Sequence, residues 1–183
     1  MYSGDIIFVL HVNYFKDMKK YLKYCLLVWI AVPVWAQQTE VIGPDSHLKV
    51  NVALKQGKPV YSVTYKEKTI LEDSPLGVVT DIGDFSRNMN WIGQKTSRID
   101  KTYTQNKIKK SEIHYQANEL ICTFANADKQ EIDVVFRVSN NDIAFRYVIP
   151  RKEAGSCVVE REATGFDFPA YTTTFLCPQS DAM

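Results

Sequence analysis

Residues 131–150 read EIDVVFRVSNNDIAFRYVIP, and their alternation decides the fold. Ile132, Val134, Phe136 and Val138 share one face of an extended segment, and Ile143, Phe145, Tyr147 and Ile149 repeat the pattern after a short Asn140-Asn141-Asp142 turn. Two adjacent runs of period two are half-buried antiparallel strands. Asn and Asp tolerate the positive φ that tight hairpin turns favour, so the runs are expected to pair directly, and Pro150 ends the second by removing a ladder donor.

Upstream, Leu48, Val50, Val52 and Leu54 alternate with Lys49, Asn51 and Lys55, a first strand with one wet face. Residues 41–46 read as a short lead and turn. Gln56-Gly57-Lys58-Pro59 supplies turn chemistry, residues 60–65 return, and Lys66-Glu67-Lys68 turns into Thr69-Ile70-Leu71, giving a three-stranded meander. Ser74-Pro75-Leu76-Gly77 breaks the pattern, Val78-Val79-Thr80 is a short apolar piece, and residues 81–90 read as a polar stretch pivoting at Gly83. From Trp91 to Tyr103 the alternation is polar, as expected of a strand near an edge or at an inter-sheet contact. Ile113, Tyr115 and Ala117 resume period two, Asn118-Glu119 reads as a turn, and Leu120, Cys122 and Phe124 pair back. Beyond Pro150, residues 157–162 read as another strand and residues 172–176 as a last one. No segment sustains a 3.6-residue apolar period over three turns, so the fold class is all-β, a large antiparallel sandwich.

A chain of 183 residues with 45% hydrophobic and 12% aromatic content can bury the core of one domain. Its 22 basic and 21 acidic residues give a formal charge of +1, which supplies no electrostatic case for a nucleic-acid partner or an anionic lipid surface. Lys107, Lys109 and Lys110, the densest basic cluster in the body, read as a solvated loop.

The N-terminus carries a targeting signal. Met18-Lys19-Lys20 and Lys23 precede an apolar run at residues 24–36, and Val34-Trp35-Ala36 suits a cleavage site, so residues 18–36 are expected to form a signal-peptide helix. The run is too short to span a bilayer and Gln37-Gln38-Thr39-Glu40 is polar, so no membrane anchor is expected after cleavage. Cys25 precedes the apolar region instead of ending it, against a lipoprotein. Residues 1–17 read as an upstream extension, with Met18 the true start. Removing residues 1–36 takes away Lys16, Lys19, Lys20, Lys23, Asp5 and Asp17, leaving an exported, periplasmic or secreted domain of charge about −1.

Of the remaining cysteines, Cys122 shares an apolar face with Leu120 and Phe124 and is expected as a buried free thiol, while a Cys157–Cys177 bridge stays open. No CxxC or Cys/His spacing marks a metal site. Asp73, Asp81 and Asp84 are oxygen ligands of the kind Ca²⁺ takes, without EF-hand spacing. Glu160 and Glu162 lie two apart on an expected strand and would share a face; neighbouring Arg151 and Arg161 make an ion-paired surface the simpler account. His47 and His114 lack a nucleophile motif. Trp91, Tyr103, Tyr115 and Tyr171 could stack on sugar rings if displayed together, although aromatics at strand spacing more often fill a core. No residue is assigned a catalytic, cofactor-binding or metal-binding role.

Three pieces together resemble the N-terminal domain of glycoside hydrolase family 97: Ser74-Pro75-Leu76-Gly77, Asn141-Asp142-Ile143-Ala144-Phe145-Arg146-Tyr147, and Thr164-Gly165-Phe166-Asp167-Phe168-Pro169 through Thr172-Thr173-Thr174-Phe175. The resemblance runs in order from Val41 to Gln179. It implies a β-super-sandwich like that of galactose mutarotases, packed against a catalytic (β/α)8 barrel that hydrolyses α-linked glucosides or galactosides. The barrel, its carboxylates and the glutamate this domain lends to a Ca²⁺ site are expected beyond Met183. By that resemblance this chain alone is inactive, with the barrel and an α-linked oligosaccharide as its partners in the full enzyme. A free-standing carbohydrate-binding sandwich is the alternative.

Overall fold

The computed structural model describes residues 37–106, 112–150 and 155–173, which belong to the compact unit Ala36–Met183. The expected signal peptide, its upstream extension, Lys107, Lys109, Lys110, Arg151, Cys177 and most of the expected last strand lie outside the described residues.

Among the described residues every regular element is a strand. In order they are β1 (Gln38–Ile42), β2 (Leu48–Lys55), β3 (Lys58–Tyr65), β4 (Lys68–Pro75), β5 (Val78–Thr80), β6 (Gly83–Asp84), β7 (Asn90–Thr104), β8 (Glu112–Ala125), β9 (Glu131–Val138), β10 (Ile143–Val148) and β11 (Val159–Glu162). They form one sheet of order β1-β2-β3-β4, a second of order β10-β9-β8-β7, and a small third of order β11-β5-β6. All pairings are antiparallel.

The inward residues of the first two sheets meet in one core. Val50, Val52, Tyr61 and Val63 from the first sheet pack with Leu120, Cys122, Phe124, Ile132, Val134, Phe136 and Val138 from the second. Tyr61 lies 5.8 Å from both Phe136 and Phe145 between ring centroids, and the two phenylalanines are 5.5 Å apart. Each such ring removed from water contributes on the order of 1.5–3 kcal/mol before entropy is counted. Burial pushes the Cys122 thiol up to about 12, as expected of a thiol on the core face.

Turn chemistry sets the registers. The β2–β3 turn places Gln56 at φ 51° and Gly57 at 72°, and the β3–β4 turn places Lys66 at 48° and Glu67 at 63°. Both two-residue loops therefore have the twist of type I′ hairpins. The β9–β10 turn uses a different device: Ser139 Oγ accepts the Asn141 and Asp142 N–H groups at 3.2 and 3.1 Å, and no residue from Asn140 to Asp142 has positive φ. The pairing Val138↔Ile143, Phe136↔Phe145, Val134↔Tyr147 is the one the alternation predicts.

Several expectations change. Val41 and Ile42, expected as a short lead, instead end a strand, Gln38–Ile42, that pairs with β2, while the turn expected after them lies at residues 44–47. Pro75 ends β4 and does not interrupt it, because bulges near Val63 bend the ladder and Pro75 still faces Val60. The expected turn at Asn118-Glu119 does not exist: β8 runs unbroken for 14 residues, and Asn118 and Glu119 pair with Arg98 and Ser97 of β7. The apolar phase shifts there because β9 ends opposite Asn118, so Glu112–Ala117 pairs with β7 alone. β11 starts at Val159, two residues later than expected. The polar stretch 81–90 supplies two core residues, Phe85 and Met89.

Candidate functional site

The three sequence pieces that carry the family resemblance converge on one place. The chain from Val158 onward runs antiparallel to residues 69–81: Val158 O accepts from Asp81 N, Ala163 N donates to Gly77 O at 2.9 Å, Gly165 N to Pro75 O at 3.0 Å, and Glu72 N to Asp167 O at 2.8 Å. Buried Ser74 Oγ accepts from Asp167 N at 2.8 Å and donates to Glu72 O at 3.0 Å. Tyr147 from β10 closes the junction, its hydroxyl accepting Gly77 N–H at 2.8 Å and bonding Thr164 Oγ1, which in turn donates to Glu162.

The residue types follow from these contacts. Gly77 has φ 155°, and a Cβ there would lie 2.6 Å from Ser86 Cα, so only glycine permits both the conformation and the close approach. Leu76, 1% exposed, plugs the core beneath the junction. Burial raises the Tyr147 phenol despite the bonds from Thr164 and Gly77, and burial pushes Tyr61 up to about 12. Both phenols stay neutral donors and acceptors, and Tyr61 donates to Gly165 O at 3.2 Å. These bonds tie three separate segments of the chain together, which is the chemistry of a fastening.

The other singled-out residues are dispersed. Asp73 pairs with Lys55, and Asp81 Oδ1 accepts Val158 N–H at 3.0 Å. Burial raises the Asp84 carboxyl, but bonds from Ser86 and Arg87 outweigh it and hold the group below its ordinary value. Each carboxylate is thus committed to a separate partner, and among the described residues no three acidic, His or Cys side chains gather to hold a metal. Asp73, Asp81 and Asp84, as placed, do not together form a Ca²⁺ site.

A β-bulge falls between Val159 and Arg161, so the simple alternation that would put Glu160 and Glu162 on one face is interrupted. His47 sits 3.0 Å from Asp45 on one loop, and His114 sits 2.6 Å from Asp100 between β7 and β8. Trp91 packs edge-on against core Phe124 at 4.9 Å. Tyr103 and Tyr115 lie on the β7–β8 ribbon, whereas Tyr171 donates to Thr69 O beside β4. These aromatics form no common platform.

A cleft of about 420 Å³ opens between β1 and the β7–β8 pair, lined by Glu40, Ile42, Thr96, Arg98, Asn118 and Glu119 among others. Asn118 Nδ2 bridges the sheets there to Ile42 O at 2.6 Å. The Arg137 hydrogen bond holds the Glu119 carboxyl below the usual range, so it is ionised near neutrality and poorly suited to donate a proton.

Fold and junction define an antiparallel β-sandwich domain organised around fastened motifs. Residues 41–183 match the family model described as glycosyl-hydrolase 97 N-terminal, and the chain belongs to that family. It is 29% identical over 134 residues to a "probable retaining alpha-galactosidase" of Streptomyces bingchenggensis, covering 73% of this chain and 20% of that protein. It is 27% identical over 159 residues to a retaining alpha-galactosidase of Bacteroides thetaiotaomicron, covering 85% of this chain and 23% of that protein. The crystal structure of a beta-arabinopyranosidase superposes with a TM-score of 0.76 at 51% identity, over 80% of this chain and 24% of that one. The chain thus spans between a fifth and a quarter of the length of these relatives.

Proposed function

We propose that the chain serves as the N-terminal, non-catalytic domain of an exported glycosidase acting on galactose-like sugars. The observation that carries this reading is the 51% identity to the beta-arabinopyranosidase, confined to about a quarter of that chain. In its L form, arabinopyranose has the ring stereochemistry of D-galactopyranose without the exocyclic hydroxymethyl group. The names of the three relatives at 27% identity or above converge on one ring shape, which favours galactosides or arabinosides over glucosides.

Hydrolysis with retention needs two carboxyls about 5–5.5 Å apart, one of them protonated at the start. In this reading both belong to a (β/α)8 barrel elsewhere in the full polypeptide, together with the ligands of any Ca²⁺, and the sandwich buttresses that barrel. Sugar contact falls to the barrel as well, consistent with the scattered aromatics of this domain. Export follows from the basic and apolar character of residues 18–36.

The test is the intact mass of the native exported product, combined with assays of that product and of this chain on chromogenic α-galactoside, β-arabinopyranoside and α-glucoside. The expected product is several times longer than this chain and cleaves the first two substrates best, while this chain alone is silent. A native product no longer than this chain, or hydrolysis by this chain alone, overturns the proposal.

A further inference from the structure

The segment from Val158 to Tyr171 displays large apolar side chains at the surface although its backbone is firmly held. Val158, Val159, Phe166, Phe168 and Tyr171 are between 46% and 63% exposed. Their exposure is not that of a loose tail: bonds to Asp81, Gly77, Pro75, Glu72, Ser74 and Thr69 fix the strip against β4 and β5. Tyr147 adds a further tie through Thr164. The fastening therefore fixes a row of apolar groups in water, an arrangement that lowers free energy only when something covers them.

We infer that this strip is the surface through which the domain seats against the remainder of its own polypeptide, an inference that rests on the function proposed above. The size of the strip argues for a tethered occupant. A buried aromatic side chain covers roughly 150–250 Å², so half-exposed rings and two valines offer a few hundred Å². A free partner usually needs about 800 Å² on each side. A covalently linked partner needs less, because its effective concentration is already in the millimolar range. The relatives are four to five times longer than the region matched here, at 20–24% coverage, and so supply such a partner. Glu160, Arg161 and Glu162 interleave both charge signs along the strip, which gives no steering toward nucleic acid or an anionic membrane.

Hydroxyl-radical footprinting of the native product and of this chain, at equal low concentration, tests the assignment. Tyr103, 47% exposed on the β7–β8 ribbon of the second sheet, serves as the reference ring. The expected result is severalfold slower modification of Phe166, Phe168 and Tyr171 in the native product, with Tyr103 unchanged. Equal rates in a native product that hydrolyses glycosides would overturn the docking surface and leave the proposed function standing. Protection in a product without hydrolase activity would keep the docking and remove the function. Protection that appears in this chain alone as its concentration rises would assign the strip to a second copy, against the inference.

Discussion

At the Tyr147 hydroxyl, a backbone N–H from Gly77 and a side chain from Thr164 are satisfied by one atom, which ties β10 to the β4–β5 connection and to the strip that follows β11. A Tyr147→Phe change keeps the ring, its 6.0 Å contact with Phe145 and the core volume, and removes only that atom. Gly77 N–H then loses its partner in a partly buried place, a loss of about 1–3 kcal/mol. Chemical denaturation should show a lower midpoint with an unchanged slope. A midpoint equal to that of the parent chain would mean that water or Thr164 replaces the hydroxyl and that the junction is not a fastening. From the sequence, Tyr147 was legible as an inward residue of a half-buried strand. Its hydroxyl was not, because a bond between residues 70 positions apart leaves no periodic trace.

At the scale of elements, legibility follows the number of faces a strand buries. β9 buries Ile132, Val134, Phe136 and Val138 on one face, with Val135 also buried between them, and its hairpin with β10 was readable residue by residue. β1 buries only Val41 in five residues, too little for a pattern to register. β8 misled for a physical reason: its last residues, from Leu120, sit between β7 and β9, while Glu112–Ala117 has β7 as its sole ladder partner among the described strands. Two environments along one strand produce two apolar phases, which mimic a turn. The same geometry has a dynamic consequence. A two-stranded ribbon is marginal in water, so the pairs Ile99↔Ala117 to Thr104↔Glu112 should open far more often than Gln94↔Cys122. Amide hydrogen exchange should therefore be fast at Asp100–Tyr103 and His114–Gln116 and slow at Leu120–Phe124. Uniform protection along β8 would show that the ribbon is supported along its whole length.

For the whole molecule, the question is where the folded domain begins. Gln37 O accepts from Leu54 N at 3.0 Å, and the β1–β2 ladder starts one residue later at Gln38↔Ala53. The expected cleavage point after Ala36 therefore falls immediately before Gln37, the first of the described residues, whose carbonyl already joins β2. A signal peptidase cutting there would remove the whole basic and apolar leader while sparing the edge strand of the first sheet. A cut even a few residues further on would delete part of β1, exposing Val41, Val50 and Val52 and the β2 edge to water or to other chains. The proposed export should therefore yield a product with Gln37 as its first residue, read by intact mass, and a chain starting at Gln37 should match the thermal midpoint of the chain that retains residues 1–36. A mature product starting beyond Glu40, or a clear fall in the midpoint on removing the leader, would show that the leader and the sandwich are not separable in the way the β1 register implies.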